Sequence, residues 1–175
     1  MIYLLLPGFS KRNKEEIINI SETLRKDGKE TFIHFWKHWS DEGIKWDPEI
    51  EVDNIYEEIK DTNLSSVVII GKSIGTFISI LLIQKLGILV KQVILMGIPV
   101  NSLGRDEQEL YSVVLKKYQI LTTIIQNIQD PHGSISQVKN LLGSIRYDLI
   151  EIDASDHRYN YPDKILSIVN NTNKN

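Results

Sequence analysis

A chain of 175 residues with a formal charge of −3 at pH 7 is long enough for one domain to bury a core without disulfides or a structural metal. Its 42% hydrophobic and 25% charged residues match an ordinary globular protein and exclude the disordered, fibrous and membrane-embedded classes. The absence of cysteine excludes a disulfide framework, a thiolate nucleophile and cysteine-ligated zinc.

The first predicted element is an apolar strand, Ile2 to Leu6, which is cut off by Pro7-Gly8. It lacks the basic residues that begin a signal peptide, so we expect a buried strand and a cytoplasmic location. The basic cluster from Lys11 to Lys14 is short and is followed by glutamates, so we expect no nucleic-acid partner. The longest apolar region, Phe77 to Val90, is interrupted by Gln84-Lys85 and is too short to span a membrane.

Short apolar runs alternate with amphipathic segments along the chain, a pattern typical of a parallel sheet covered by helices on both faces. The predicted strands are Ile2–Leu6, Thr31–Phe35, Ser66–Ile70, Gln92–Met96, Leu121–Gln126 and Tyr147–Ile152. Helices are predicted to begin near Asn13, Pro48, Thr76, Glu107, Ser134 and Pro162. We therefore expect an α/β fold in one domain over residues 1–175.

The segments around the first two predicted strands carry three further expectations. Asn13 and Glu16 have the spacing of a capping box at the start of the first helix. His34 and His38 have an H-x-x-x-H spacing but lack the glutamate of a zinc-protease helix, so we expect no metal there. The loop from Trp36 to Trp46 contains all three tryptophans. They form either an exposed patch for a partner, a second copy in a homodimer included, or a cover over an active-site mouth.

The third predicted strand runs into the sequence Gly71-Lys72-Ser73-Ile74-Gly75, which a helix follows. A G-x-S-x-G sequence between a strand and a helix is the context of a nucleophile elbow. The glycines leave room where strand and helix pass closest, and the serine sits in a strained conformation that exposes its Oγ. Ser73 is therefore the candidate nucleophile. The helix N-terminus directs amide N–H groups toward that oxygen, where they would stabilise negative charge that develops on a bound carbonyl.

This turn has two other interpretations. Gly71-Lys72-Ser73 also ends a P-loop motif, but that motif needs a glycine five positions before Gly71, and position 66 is a serine. Alternatively, the short motif arises by chance and its glycines only serve a tight βα turn. The strand before it and the helix after it favour the nucleophile elbow.

Candidate partners of Ser73 follow later strands in the order acid, then base. Asp130 comes directly after the fifth predicted strand, where it either accepts the Nδ1–H of an imidazole or forms a plain Asp-Pro turn. His157 follows the last strand and is the candidate general base. His132 is too close in sequence to Asp130 to be its partner. Residues 97–118 are the one insertion large enough to overhang the site as a partial cap.

Together these residues resemble the α/β-hydrolase fold family, from Leu6-Pro7-Gly8-Phe9 to Asp156-His157. The resemblance implies a three-layer α/β/α sandwich whose mainly parallel sheet has about six strands in the order 2-1-3-4-5-6. From this resemblance we expect the sheet to lack two amino-terminal strands that many members have. The chain is similar to small lidless members such as the retinoblastoma-binding-type serine hydrolases.

The same resemblance implies roles for individual residues and needs no cofactor. It assigns Ser73 as nucleophile, Asp130 as acid and His157 as base. The backbone N–H groups of Phe9 and Ile74 would form the oxyanion hole, Phe9 from the loop after the first strand.

Three residues depart from the family's pattern. Pro7 stands where many members have the histidine of a His-Gly oxyanion motif. Lys72 stands where many esterases have histidine, and a lysine at this position is similar to the subset of members related to dienelactone hydrolase. Asn127 stands where members often have glycine, and we expect it to keep that turn because asparagine tolerates a left-handed backbone.

These residues predict a serine hydrolase that cleaves an ester, thioester or amide of a small acyl substrate through an acyl-enzyme. The alternative is a binding or scaffold protein without turnover, since a fold alone does not assign a function.

Overall fold

Six parallel strands form one sheet in the order β2-β1-β3-β4-β5-β6, which confirms the predicted fold class and strand order. The computed structural model describes residues 1–41, 43–60 and 65–172. The strands are β1 (Ile2–Leu6), β2 (Glu30–Ile33), β3 (Val67–Lys72), β4 (Val90–Met96), β5 (Leu121–Asn127) and β6 (Asp148–Ile152). The helices are α1 (Lys14–Lys26), α2 (Pro48–Lys60), α3 (Ile74–Leu86), α4 (Arg105–Tyr118), α5 (Ile135–Leu142) and α6 (Pro162–Thr172).

Helices cover both faces of the sheet and make three layers. Successive residues of β3 point to opposite faces, as strand geometry requires. Val67 and Ile69 belong to the apolar core shared with α2, α3, α4 and α5. Val68 and Ile70 belong to a second core shared with α1 and α6. Because β3 is buried on both faces, its sequence is a continuous apolar run rather than an alternating one.

Helix α3 packs directly against β3 and also against α2 and α4. Its buried side chains lie on all sides of the helix, which accounts for its nearly uniform apolar sequence. This packing fixes the first turn of α3 at the carboxyl end of β3. No helix within residues 1–41, 43–60 and 65–172 is long and apolar enough to cross a membrane.

The predicted capping box of the first helix is wrong. The Asn13 side chain makes no cap hydrogen bond to α1. Instead its Nδ2 donates to the Ser10 carbonyl oxygen at 2.7 Å, and its Oδ1 accepts from the Lys72 ammonium. A capping box is a pattern of residues close in sequence, whereas here Lys72, far along the chain, binds the side-chain oxygen that would cap the helix.

Residues 97–118, predicted to be an insertion, contain the 3₁₀ turn Val100–Ser102 and helix α4. Helix α4 packs beside α3 and α5 and so forms the crossover between β4 and β5. That residues 97–118 partly cover the site stays a prediction.

Candidate active site

The predicted site residues all lie at the carboxyl end of the sheet. Ser73 follows β3, Asp130 follows β5, and His157 follows β6. Because parallel strands all end at the same edge of a sheet, loops that are distant in sequence meet there.

Ser73 adopts the backbone conformation that a nucleophile elbow requires. Its φ is 55° and its ψ is −121°, a strained combination for a residue with a side chain. The Ser73 N–H donates to the Met96 carbonyl oxygen of β4 at 2.9 Å, which ties the turn to the neighbouring strand. The hydrogen bond to β4 and the start of α3 directly after Ser73 thus hold the serine in this strained conformation.

The two glycines of the turn are needed for close packing. A Cβ added to Gly71 would lie 2.5 Å from the Gly75 carbonyl oxygen, and one added to Gly75 would lie 2.3 Å from the Leu6 carbonyl oxygen. Both distances are far shorter than any van der Waals contact. Glycine therefore lets the first turn of α3 rest directly on β3 and on the end of β1.

We expect Gly75→Ala to lower the free energy of unfolding by about 1–3 kcal/mol or more, because the new methyl group meets backbone atoms that cannot move independently. Gly104→Ala is the matched control, since its Cβ would meet the Glu107 carboxylate at an ordinary 3.5 Å. Urea unfolding of both variants measures the difference. Equal free energies of unfolding for Gly75→Ala and wild type would contradict the close contact.

Ser73, His157 and Asp130 form one hydrogen-bonded chain. His157 Nε2 lies 2.8 Å from Ser73 Oγ, and His157 Nδ1 lies 2.7 Å from Asp130 Oδ2. The Asp130 side chain is fully buried and that of His157 is 17% exposed. With the proton on Nδ1, the imidazole donates to the carboxylate and presents an acceptor to the serine hydroxyl.

Hydrogen bonds keep the buried Asp130 ionised. Burial alone would raise its pKa, but hydrogen bonds from His157, Tyr159 and the His132 amide outweigh that effect and hold the pKa below its ordinary value. The amide bond, from His132 N–H to Asp130 Oδ1, is 2.8 Å long. The carboxylate is therefore fixed through both of its oxygens.

Tyr159 is a further member of this network that no sequence pattern indicated. Its hydroxyl donates to Asp130 Oδ2 at 2.6 Å and accepts from the Asn127 N–H at 3.0 Å. Burial and the bond to Asp130 raise the pKa of the phenol, so it remains a donor. Gly97 makes room for the ring, since a Cβ there would lie 2.3 Å from Tyr159 Cε2.

For the serine hydrolase that the sequence predicts, we expect Tyr159→Phe to lower kcat/KM about tenfold, the effect of losing one hydrogen bond to a charged group. The substitution also leaves the Asn127 N–H without its acceptor. Steady-state kinetics on a p-nitrophenyl ester measures the loss. Tyr118→Phe, whose hydroxyl makes only a 3.4 Å exposed contact, is the control. Unchanged kcat/KM in Tyr159→Phe would contradict a role for the phenol.

Asn127 holds the loop that carries His157, and not in the way expected. Its backbone is not left-handed, because the described non-glycine residues with positive φ are Ser73 and Gln119. Asn127 instead ends β5, and its Nδ2 donates to the Asp156 carbonyl oxygen at 2.9 Å and to Asp156 Oδ1 at 3.2 Å. The side chain thus replaces the predicted turn geometry with a direct bond to the histidine loop.

His132 lies beside the candidate base rather than bonding to the acid through its ring. Its imidazole is 4.4 Å from that of His157, centroid to centroid. Its Nδ1 lies 3.5 Å from Ser102 Oγ. The ring therefore covers one side of His157.

The backbone carbonyl groups of Gly8 and Phe9 accept hydrogen bonds from two of the three tryptophans. Trp36 Nε1 donates to the Gly8 carbonyl oxygen at 3.0 Å, and Trp39 Nε1 donates to that of Phe9 at 2.7 Å. Trp36 is only 1% exposed. The exposed-patch alternative is therefore wrong for Trp36 and Trp39, whose indoles are buried behind the loop that they bind, whereas Trp46 is half-buried. That the tryptophans cover an active-site mouth stays a prediction.

Phe9 itself is 51% exposed and stacks on His38, with 4.4 Å between ring centroids. Neither the Phe9 amide nor the Ile74 amide donates to another group within the described part of the chain. Both predicted oxyanion donors thus retain a hydrogen atom for an incoming acceptor.

His34 is held by carboxylates of helix α2 rather than grouped with His38. Its Nε2 lies 2.9 Å from Glu51 Oε2 and its Nδ1 lies 2.7 Å from Glu58 Oε2. Among the residues that the structure describes, no group of three or more histidine, aspartate or glutamate side chains has the geometry of a metal site.

The fold and the order of these residues define an α/β-hydrolase architecture. The family model described as an alpha/beta hydrolase domain matches residues 45–170. The chain therefore belongs to the α/β-hydrolase family, and this supports a hydrolase function. A comparison with curated proteins found no match.

Solved structures with the same fold include enzymes and hydrolase homologues of low sequence identity. MGS-MChE2, an alpha/beta hydrolase enzyme from the metagenome of lagoon sediments at Mar Chica, Morocco, is 14% identical with a TM-score of 0.74, over 99% of this chain and 90% of that one. An alpha-beta serine hydrolase homologue from Coxiella burnetii is 16% identical with a TM-score of 0.73, over 97% and 82%. Alpha/beta hydrolase domain-containing protein 10 from mouse is 12% identical with a TM-score of 0.71, over 99% and 88%. These similarities describe the fold alone.

Proposed function

We propose that this chain is a serine hydrolase that cleaves a carboxylic ester, thioester or amide through an acyl-enzyme on Ser73. The observation that carries the proposal is the hydrogen-bonded chain from Ser73 Oγ through His157 to Asp130, with steps of 2.8 Å and 2.7 Å. Nucleophile, base and orienting acid within hydrogen-bond reach are the arrangement that activates a serine hydroxyl.

The first half of the proposed reaction forms the acyl-enzyme. Ser73 Oγ attacks the carbonyl carbon while His157 Nε2 takes the hydroxyl proton, and Asp130 stabilises the resulting imidazolium through Nδ1–H. The carbonyl oxygen gains negative charge, which the Phe9 and Ile74 N–H groups stabilise. The bond to the leaving group then breaks, and His157 returns the proton to the leaving alcohol, thiol or amine.

The second half releases the acid. His157 Nε2 takes a proton from a water molecule as its oxygen attacks the acyl carbon, and a second tetrahedral intermediate forms at the same amides. Its collapse breaks the bond to Ser73 Oγ, and the proton on His157 passes to that oxygen. The serine and the neutral imidazole are thereby restored.

The test is pre-steady-state hydrolysis of p-nitrophenyl acetate and of its longer-chain homologues. We expect steady turnover and, where deacylation is slower than acylation, a burst of p-nitrophenol equal to the enzyme concentration. The blank is the same protein kept unfolded in urea and assayed at that urea concentration. Release no faster than in the unfolded blank across the ester series would contradict the proposal and favour a binding role without turnover.

A further inference from the structure

The backbone of residues 8–10 is held by three side chains from two other short segments of the chain, and this arrangement bears on the Phe9 amide. The carbonyl oxygens of Gly8, Phe9 and Ser10 each accept a side-chain hydrogen bond, from Trp36, Trp39 and Asn13 respectively. The loop therefore has little freedom to rotate its peptide planes.

Trp36 acts directly on the peptide that contains the Phe9 N–H. That N–H and the Gly8 carbonyl belong to one planar trans peptide, in which the two bonds point in opposite directions. By binding the Gly8 oxygen at 3.0 Å on one side, the buried indole fixes the direction of the Phe9 N–H on the other.

Asn13 and Lys72 hold the same loop against the nucleophile elbow. The Lys72 side chain is 7% exposed, and its Nζ donates to Asn13 Oδ1 and lies 3.5 Å from Glu16 Oε2. Asn13 Nδ2 in turn donates to the Ser10 carbonyl oxygen at 2.7 Å. A Cβ on Gly8 would lie 2.8 Å from that Nδ2, so the amide group also packs on the Gly8 backbone.

Burying the Lys72 ammonium has a cost, which its acidic partners offset in part. Burial lowers the pKa of Lys72 below its ordinary value, and the Glu16 carboxylate opposes that shift. The lysine directly precedes the candidate nucleophile, so its bond to Asn13 links the elbow to the loop that carries the other predicted oxyanion donor.

We propose that Trp36, Asn13 and Lys72 are positioning residues that orient the Phe9 amide toward the oxygen of a substrate bound at Ser73. This inference rests on the proposed hydrolase function. Donors that are already oriented stabilise the charge of the transition state more than the neutral substrate. Loosening the loop should therefore reduce kcat and leave KM nearly unchanged.

The experiment compares Asn13→Ala, Lys72→Met and Trp36→Phe with wild type on one p-nitrophenyl ester. Loss of an entire oxyanion donor costs about 10²–10³ in kcat, so we expect misorientation to cost roughly 10- to 100-fold with KM within about twofold. Inhibition by a trifluoromethyl ketone, which forms a tetrahedral adduct with an anionic oxygen, should weaken in parallel with kcat. Asn13 and Lys72 act through the hydrogen bond that joins them, so their effects on kcat should not add. We expect the kcat of the double variant to lie within about twofold of that of the less active single variant.

Lys85→Met is the matched control, since Lys85 pairs with Asp53 at the surface of α3. Circular dichroism and urea unfolding check that each variant is folded, and Asn13→Ala, at a half-buried position, is the mildest of the three. Folded Asn13→Ala and Lys72→Met proteins with wild-type kcat and ketone affinity would overturn the inference alone. Wild-type protein without turnover would overturn the proposed function and this inference together.

Discussion

Ser73→Ala is expected to reduce kcat by on the order of 10⁴- to 10⁶-fold, because no other described hydroxyl lies at the hydrogen-bonded Nε2 of His157. The methyl group fits the same strained turn, so the fold should persist and substrate binding should change little. Steady-state kinetics on p-nitrophenyl acetate measures the loss.

The control for that substitution is Ser112→Ala, which removes a hydroxyl that bonds only to the Glu109 carbonyl oxygen on α4. We expect its kcat to equal that of wild type. If Ser73→Ala retained more than about a tenth of the wild-type kcat, hydrolysis would have to occur without this serine.

Asp130→Asn is expected to lower kcat by about 10⁴-fold, as the equivalent change does in serine triads. Asp130 Oδ1 accepts the His132 N–H at 2.8 Å, so the asparagine oxygen is favoured at that position and the NH₂ group takes the place of Oδ2. An NH₂ facing His157 Nδ1 moves the imidazole proton to Nε2. That nitrogen then has no lone pair to accept the serine proton.

The exposed Asp53→Asn variant is the control, since it removes only a surface ion pair with Lys85. We compare the kcat of both variants with that of wild type and check by urea unfolding that each variant is folded. An Asp130→Asn enzyme within about tenfold of wild type would show that the carboxylate does not set the tautomer of His157.

Much of the fold and the residue set of the site were predictable because local patterns encode them. Strand β3 is buried on both faces and therefore has an almost unbroken apolar sequence. The glycines on either side of Ser73 are required because a Cβ at either position would lie only 2.3–2.5 Å from a backbone carbonyl oxygen. Ser73, Asp130 and His157 were predicted to meet because parallel strands end at one edge of the sheet. The structure places their side chains in one hydrogen-bonded chain.

What could not be predicted depends on pairings between distant residues. Nothing in the sequence near Tyr159 indicates that its hydroxyl bonds to Asp130, since the two are far apart in the chain. The predicted capping box was wrong for the same reason, because the Asn13 side-chain oxygen accepts a hydrogen bond from the distant Lys72. The sequence left open whether the tryptophans form an exposed patch or a cover over the site, because a loop sequence does not reveal which backbone carbonyl groups its indoles will bind.

The most direct test of the proposed serine hydrolase is the site at which a fluorophosphonate reacts. A fluorophosphonate forms a stable bond to a serine oxygen that an adjacent base has activated, with loss of fluoride. Intact-mass and peptide mass spectrometry of folded protein should find one adduct, on Ser73, and none in Ser73→Ala or in urea-unfolded protein. No adduct on folded wild-type protein, or an adduct on another residue that Ser73→Ala retains, would contradict the account.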